Sequence, residues 1–184
     1  LFVTHGYATF YEKFFSDKRY EVKKIIEIGG MTGSSAGALA MYFLNSIIYT
    51  LDINYERNKI DSKRIKKIIV DQTSKAQIKK FINDENINLS SIDLIIDDGA
   101  HTDEAILTSL KELLKYVSCD GYYVIEDLDL KTTKSSIDFL KDDKSDFYKD
   151  NIEKVEMYES GQEIDNLDYD TQHYIAFIKP KKIK

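Results

Sequence analysis

Short apolar runs rich in β-branched residues alternate along the chain with longer segments in which apolar residues recur every three or four positions. The first pattern is typical of buried strands and the second of amphipathic helices, so the alternation predicts βαβ units around a parallel sheet. Strands are predicted near 23–28, 46–51, 66–70, 91–96 and 120–125. Helices are predicted near 7–16, 34–43, 74–84 and 103–116.

The remainder of the chain predicts one more helix and two more strands. The helix is expected near 133–142, and the strands near 151–158 and 173–178, with Pro180 marking the end of the last one. The segment 159–170 is acidic and rich in turn residues, which predicts a loop. Since no repeat or linker interrupts the pattern, we expect residues 1–184 to form a single α/β domain with a Rossmann-like, doubly wound sheet.

Composition narrows the class of protein. The 184 residues are 42% hydrophobic and 32% charged, a balance typical of globular domains. No apolar run reaches the roughly 18 to 20 residues of a membrane span, and the first residues lack the pattern of a secretory signal. With the single cysteine, Cys119, these features favour a cytoplasmic protein that has no membrane partner.

The formal net charge of −6 argues against nucleic acid as the main partner, because affinity for a phosphate backbone comes from Lys and Arg that displace counterions. The lysine runs at 63–67 and 179–184 are typical of solvated faces and chain ends. A small molecule is the expected partner. The sequence leaves the oligomeric state open, and a homo-oligomer is compatible with it.

A glycine-rich turn follows the first predicted strand. It reads Glu27-Ile28-Gly29-Gly30-Met31-Thr32-Gly33-Ser34, and the next predicted helix begins at its end. Glycines allow a tight turn and a close approach of the backbone to a ligand, and the helix start offers unpaired N–H groups. The spacing differs from the Gly-x-Gly-x-x-Gly of dinucleotide-binding proteins, which disfavours a nicotinamide cofactor.

Acidic residues follow the next two strands. Asp52 ends the second, and Asp71 with Gln72 follows the third. Ligands of open α/β sheets bind at the carboxyl ends of the strands, where an acid can accept hydrogen bonds from ribose hydroxyls. Together with the glycine turn, these positions predict a nucleoside site.

The fourth and fifth strands also end in polar residues. Asp97, Asp98 and His101 follow the fourth, and Glu126 and Asp127 follow the fifth. Neighbouring strand ends converge, so the carboxylates of Asp98, Glu126 and Asp127 could bind one divalent cation, for which Mg²⁺ is the natural candidate. Each residue alone is equally compatible with capping, turn or packing roles.

In order along the chain, these motifs resemble one family. They are Glu27-Ile28-Gly29-Gly30, Asp71-Gln72, Ile95-Ile96-Asp97-Asp98-Gly99-Ala100-His101-Thr102 and Tyr123-Val124-Ile125-Glu126-Asp127, with Thr4-His5-Gly6-Tyr7 and Phe10-Tyr11-Glu12 near the start. The resemblance is to class I S-adenosylmethionine-dependent methyltransferases, in particular the metal-dependent macrolide and sugar O-methyltransferases of the mycinamicin type, and it covers about 5–127. The chain departs from the family at Ala100, where Ser is usual, and at 128–133, where aromatic and hydroxyl residues are usual.

The resemblance implies a seven-stranded sheet with an antiparallel last strand, S-adenosylmethionine over the first three strand ends, and Mg²⁺. The cofactor-binding residues that it and the motifs imply are Tyr7, Glu27, Gly29, Gly30, Gly33, Ser34, Asp52, Asp71, Gln72 and Asp97. In the implied reaction a methyl group moves to a hydroxyl of a sugar-like or polyol acceptor. The implied metal ligands are Asp98, Glu126 and Asp127, with His101 as general base and Asp98 also counted as catalytic.

Two other functions stay open at this point. One is a cofactor-binding domain with a regulatory or assembly role in a larger protein, favoured by the small size of the chain and the little room for an acceptor cover. The other is a nicotinamide-dependent oxidoreductase, which keeps the argument from Asp52 but does not fit the glycine spacing.

Overall fold

The computed structural model of the protein describes residues 6–141, 144–159 and 173–182. Seven strands form one sheet in the order β3-β2-β1-β4-β5-β7-β6. The strands are β1 (Lys24–Ile28), β2 (Ile47–Asp52), β3 (Ile65–Ile69), β4 (Ile92–Asp97), β5 (Val117–Asp129), β6 (Ile152–Glu159) and β7 (His173–Pro180). All seven predicted strands are therefore present.

The sheet is parallel except for its last strand. Strands β1 to β5 pair in parallel, whereas β7 lies between β5 and β6 and is antiparallel to both. This topology confirms the predicted doubly wound α/β fold. The strand order reverses between β1 and β4, so the crevice for a ligand lies outside the carboxyl ends of these two strands.

The helices also lie close to their predicted positions. They are α1 (Ala8–Phe15), α2 (Ser34–Tyr42), α3 (Lys75–Asp84), α4 (Asp103–Leu113), α5 (Lys134–Lys141) and α6 (Asp146–Asn151). Helix α4 ends three residues before the predicted bound, and a 3₁₀ turn continues it over 114–116. The six-residue α6, whose first turn is capped by the Ser145 hydroxyl, was not predicted. The predicted loop at 159–170 lies outside the described residues except for Glu159, which ends β6.

Two apolar cores cover the two faces of the sheet. Successive strand residues alternate between them: Ile25 packs with Phe15 and Leu39 of α1 and α2, while Ile26 packs with Leu110 of α4. Burial of both faces explains why the central strands are almost continuously apolar. Among the described residues, none of the helices has the length and apolar character of a membrane span.

A bulge interrupts β5 near its carboxyl end. Ile125 pairs with Ala176 and Leu128 with Tyr174, so two residues of β5, Glu126 and Asp127, lie opposite the one residue between those partners. Asp127 has a left-handed φ of 51°. Successive side chains of a regular strand point to opposite faces, whereas a bulge redirects them. The predicted acidic pair therefore occupies an irregular position in the sheet.

Candidate functional site

A cavity of about 690 Å³ lies at the carboxyl ends of β1 to β4. Its volume is within the range of small-molecule sites. Among the residues predicted to bind a cofactor, Gly29, Gly30, Asp52, Asp71 and Gln72 line it. Asp98, His101 and Asp127 line it as well.

The turn after β1 needs glycine at its first position. Gly29 has a φ of 97°, and a Cβ there would lie 2.0 Å from the Asp98 carbonyl oxygen. The missing side chain allows the turn after β1 to pack directly against the turn after β4. The glycine turn and the Asp98 turn thus form one continuous wall of the cavity.

The predicted residues Gly33 and Ser34 do not line the cavity. Gly33 precedes α2 with a left-handed φ of 83° and packs against the Asn58 side chain, which also donates to the Gly30 carbonyl at 3.2 Å. The next residue, Ser35, does reach the cavity. The geometry assigns Gly33 and Ser34 to the support of the turn and the start of the helix.

The Asp52 carboxylate connects two loops at the rim of the cavity. It accepts hydrogen bonds from the backbone N–H of Met31 at 2.7 Å and of Asn54 at 3.2 Å. Asp71 accepts from the backbone and hydroxyl of Thr73, and the hydroxyl bond holds the pKa of Asp71 below its usual value. Each carboxylate retains acceptor capacity, because an ionised carboxylate offers about four lone-pair sites.

Asp97 does not reach the cavity. Its buried carboxylate accepts from Ser109 at 2.5 Å and from Gln72 and Tyr123 at 3.1 Å. Gln72 also accepts from the backbone N–H of Ala100 at 2.8 Å. The structure therefore places Asp97 in a buried network that supports the turn carrying Asp98 and His101.

Removal of the Ser109 hydroxyl tests the importance of this network for stability. Ser109→Ala should destabilise the fold by about 1 to 3 kcal/mol, because the buried Asp97 carboxylate loses one of its donors. Thermal or urea unfolding measures the difference. Ser91→Ala, which removes a hydroxyl that donates to the Asn88 carbonyl at the surface, serves as the control. Equal stability of the two variants would contradict the assignment.

Several acidic side chains lie together beside the cavity, where burial limits their contact with water. Burial, with Glu126 and Asp127 nearby, raises the pKa of Asp98 to about 9. Burial also raises the pKa of Glu126 to about 7. Tyr7, Glu27, Ser35, Asp98 and Glu126 line a second, much smaller cavity of about 10 Å³ in contact with this group. Crowded buried carboxyls are stabilised in their charged form by a cation.

Glu27 is the most deeply buried of these acids, and it is 1% exposed. Neither of its carboxylate oxygens has a hydrogen-bond partner among the described residues. Burial raises the pKa of Glu27 to about 7, although the nearby hydroxyls of Ser35 and Thr50 act to lower it. An orphaned buried carboxylate fits a site that receives a positively charged or hydrogen-donating ligand.

His101 lies in the turn between β4 and α4 with a left-handed φ of 48°. Its Nε2 atom is 3.7 Å from Oδ1 of Asp98. Ligand atoms of Asp98, His101 and Asp127 all lie within 4.8 Å of one another, close enough to hold one metal ion. The structure thus brings together two of the three predicted metal ligands and the predicted base, and Glu126 joins Asp98 at the smaller cavity.

Helix α1 and the residue before it contact the acidic pair of β5. The Tyr7 hydroxyl donates to Asp127 Oδ1 at 2.6 Å and accepts from the Asp127 N–H at 3.2 Å. The Tyr11 hydroxyl donates to Glu126 Oε1 at 2.5 Å. Tyr7, predicted to bind a cofactor, thus contacts a predicted metal ligand. The contact of Tyr11 with Glu126 was not predicted; the available signals were its place in the motif Phe10-Tyr11-Glu12 and its spacing of four residues from Tyr7.

Proteins of known activity that are similar in sequence to this chain include two O-methyltransferases. No protein-family model matches the chain. It is 30% identical over 131 residues, 67% of its length, to the mycinamicin VI 2''-O-methyltransferase of Micromonospora griseorubida. Over 155 residues it is 26% identical to the 8-demethyl-8-alpha-L-rhamnosyl tetracenomycin-C 2'-O-methyltransferase of Streptomyces olivaceus. These matches cover 32% and 40% of the two relatives, so the chain spans well under half of their length.

A solved structure shows the same fold. The methyltransferase MycE of the mycinamycin biosynthetic pathway, in complex with Mg and SAH, matches 97% of this chain and 50% of its own, with a TM-score of 0.75 and 24% identity. The chain is therefore a homologue of the macrolide and sugar O-methyltransferases and has the fold of the class I S-adenosylmethionine-dependent methyltransferases.

Proposed function

We propose that the chain is a single methyltransferase domain, residues 1–184, that transfers a methyl group from S-adenosylmethionine to a hydroxyl of a sugar-like or polyol acceptor with the assistance of Mg²⁺. The observation that carries the proposal is the cluster of Asp98, His101 and Asp127 at the edge of a cavity suited to a nucleoside. The expected partner is a small hydroxylated molecule. Relatives named for rhamnosyl tetracenomycin and mycinamicin VI support this class of acceptor.

The residues present fit the cofactor. S-adenosylmethionine carries an ammonium and a sulfonium group, and a positive charge of this kind would favour the charged form of the orphaned Glu27 carboxyl close to the glycine turn. Gly29 and Gly30 would let the backbone approach the methionine part, and Asp52 would accept the ribose hydroxyls. Asp71 and Gln72 would lie near the adenine. When bound, the cofactor supplies an activated methyl group.

The donor set also fits a hard divalent cation. Asp98, Glu126 and Asp127 are carboxylates, of which Glu126 is buried and the other two are half-buried, and no cysteine among the described residues joins the cluster. Oxygen ligands of this kind suit Mg²⁺ or Mn²⁺. A cation bound there would polarise an acceptor hydroxyl and neutralise charge in the acidic group.

The contributions of the chain itself are positioning and proton removal. A hydroxyl attacks an electrophilic methyl group more readily once its proton has been removed. The imidazole of His101 lies in the cavity lining, where it would take that proton as the O–C bond forms and the S–C bond breaks. The walls formed by the glycine turn and the Asp98 turn would hold the two reactants in line.

Release of S-adenosylhomocysteine from S-adenosylmethionine tests the proposal directly. The assay would contain Mg²⁺ and a panel of deoxysugar-bearing acceptors, including mycinamicin VI and rhamnosyl tetracenomycin, with acceptor-free reactions as controls. We expect acceptor-dependent release. Cofactor binding without turnover on any acceptor would favour the regulatory role, and stabilisation by NAD but not by S-adenosylmethionine would favour the oxidoreductase.

The role of Asp52 gives a separate binding prediction. Asp52→Ala should weaken the binding of S-adenosylhomocysteine by about tenfold or more, because each hydrogen bond to a charged group contributes about 1.5 to 3 kcal/mol. Isothermal titration calorimetry measures the affinity. Since Asp52 also bonds Met31 and Asn54, Asn54→Gly, which loosens the same loop but keeps the carboxylate, is the control. Wild-type affinity in Asp52→Ala would remove Asp52 from the ribose site.

A further inference from the structure

The two acids at the end of β5 reach the site only because the strand is irregular there. In a regular strand, Glu126 and Asp127 would point to opposite faces of the sheet. The bulge opposite β7 and the left-handed φ of Asp127 instead bring both carboxylates against the same short segment, residues 7–11. A non-glycine residue in this conformation is held there by its surroundings.

Tyr7 and Tyr11 are the contacts in that segment. They are four residues apart, so they lie one helical turn from each other on the same side of the chain. Their hydroxyls bond Asp127 and Glu126 across 120 and 115 residues of sequence. Both tyrosines are almost fully buried, at 1% and 2% exposed, which fixes their rings in the core.

We propose that Tyr7 and Tyr11 are positioning residues that hold the Asp127 and Glu126 carboxylates in the arrangement required for a divalent cation. The inference rests on the cation site of the proposed function, and it attributes the geometry of that site to helix α1 and the residue before it. The Tyr7 hydroxyl bonds both the carboxylate and the backbone N–H of Asp127, so it fixes the bulge as well as the side chain. Each tyrosine thus bonds one oxygen of its carboxylate.

Groups that bond metal-binding carboxylates set ligand orientation, and their loss commonly weakens metal binding by about 10- to 100-fold. We therefore expect Tyr7→Phe and Tyr11→Phe each to weaken the binding of Mn²⁺ by about that factor. The phenylalanine rings preserve the packing of α1, so the change is limited to the hydroxyl. Electron paramagnetic resonance of free Mn²⁺ measures affinity without any turnover.

Tyr42→Phe is the matched control. The Tyr42 hydroxyl donates to Oε2 of Glu12 at 2.6 Å. Glu12 belongs to α1, like Tyr11, but it lies outside the site. This variant should bind Mn²⁺ like the wild type. For any variant of low stability, the rise in its melting temperature on adding Mn²⁺ replaces the titration, because a ligand that binds only the folded state stabilises it according to its affinity.

The possible outcomes distinguish the positioning role of the two tyrosines from the existence of the cation site. Weakened Mn²⁺ binding in both tyrosine variants, with Tyr42→Phe unchanged, supports the inference. Wild-type affinity in the folded tyrosine variants overturns it while the cation site stands. Absence of Mn²⁺ binding by the wild-type chain overturns the cation site and the inference together.

Discussion

His101→Ala is expected to lower the turnover number by about 10² to 10⁴, the usual contribution of a general base, with little change in the affinity for S-adenosylhomocysteine. The imidazole lies in the cavity lining beside Asp98, at the edge where an acceptor hydroxyl would meet the methyl donor. Steady-state release of S-adenosylhomocysteine gives the turnover number, and calorimetry gives the affinity.

A structural role for the same turn predicts a different pattern. Thr102→Ala removes the hydroxyl that caps α4 by accepting from the Ala105 N–H, and it leaves the imidazole in place. Loss of such a cap destabilises a protein by about 0.5 to 2 kcal/mol and should spare turnover of the folded enzyme. If His101→Ala behaved like Thr102→Ala, with lower stability and an intact turnover number, the catalytic assignment of His101 would be lost.

Removal of divalent cations is expected to lower turnover by about 10²-fold or more. Lewis-acid stabilisation is worth several kcal/mol, and each 1.36 kcal/mol changes a rate about tenfold. The measurement compares the chain after exhaustive EDTA treatment with the same sample after excess Mg²⁺ or Mn²⁺. Turnover should return on addition of either ion.

Asp98→Asn should reproduce the EDTA result in the presence of Mg²⁺, because the amide removes one negative charge from the acidic cluster while keeping the shape of the side chain. Asp129→Asn provides the comparison, since Asp129 is a buried acid of β5 that bonds the backbone N–H of Lys131 and Thr132 outside the site. Full activity of metal-free Asp98→Asn would show that the acidic cluster has a structural role and is not needed for turnover.

The sequence predicted the sheet well because both of its faces are buried. Largely apolar segments such as 92–96 predict strands from local sequence alone. Asp52 and Asp98 lie at the carboxyl ends of two parallel strands, and such ends meet at one edge of the sheet. Glycine at 29 and 30 was likewise predictable, because a Cβ at Gly29 would block the close approach of the two turns and one at Gly30 would meet the Thr50 side chain.

Side-chain direction was less predictable than position. Asp97 and Asp98 are neighbours in sequence, yet strand alternation turns Asp97 into the buried network with Ser109 and leaves Asp98 at the cavity. The contact of Tyr11 with Glu126 joins residues 115 apart, and it depends on a bulge that local sequence does not specify. Long-range hydrogen bonds of this kind become visible only when the tertiary structure is known.

The bulge in β5 also divides the site between two parts of the chain. The turns that carry Gly29 and Asp98 follow β1 and β4, which pair directly with each other. The bulge that carries Glu126 and Asp127 is defined instead by the pairing of β5 with β7, the last strand in sequence. The nucleoside side of the cavity therefore rests on the first part of the chain, whereas the acidic pair also depends on the far end of the sheet.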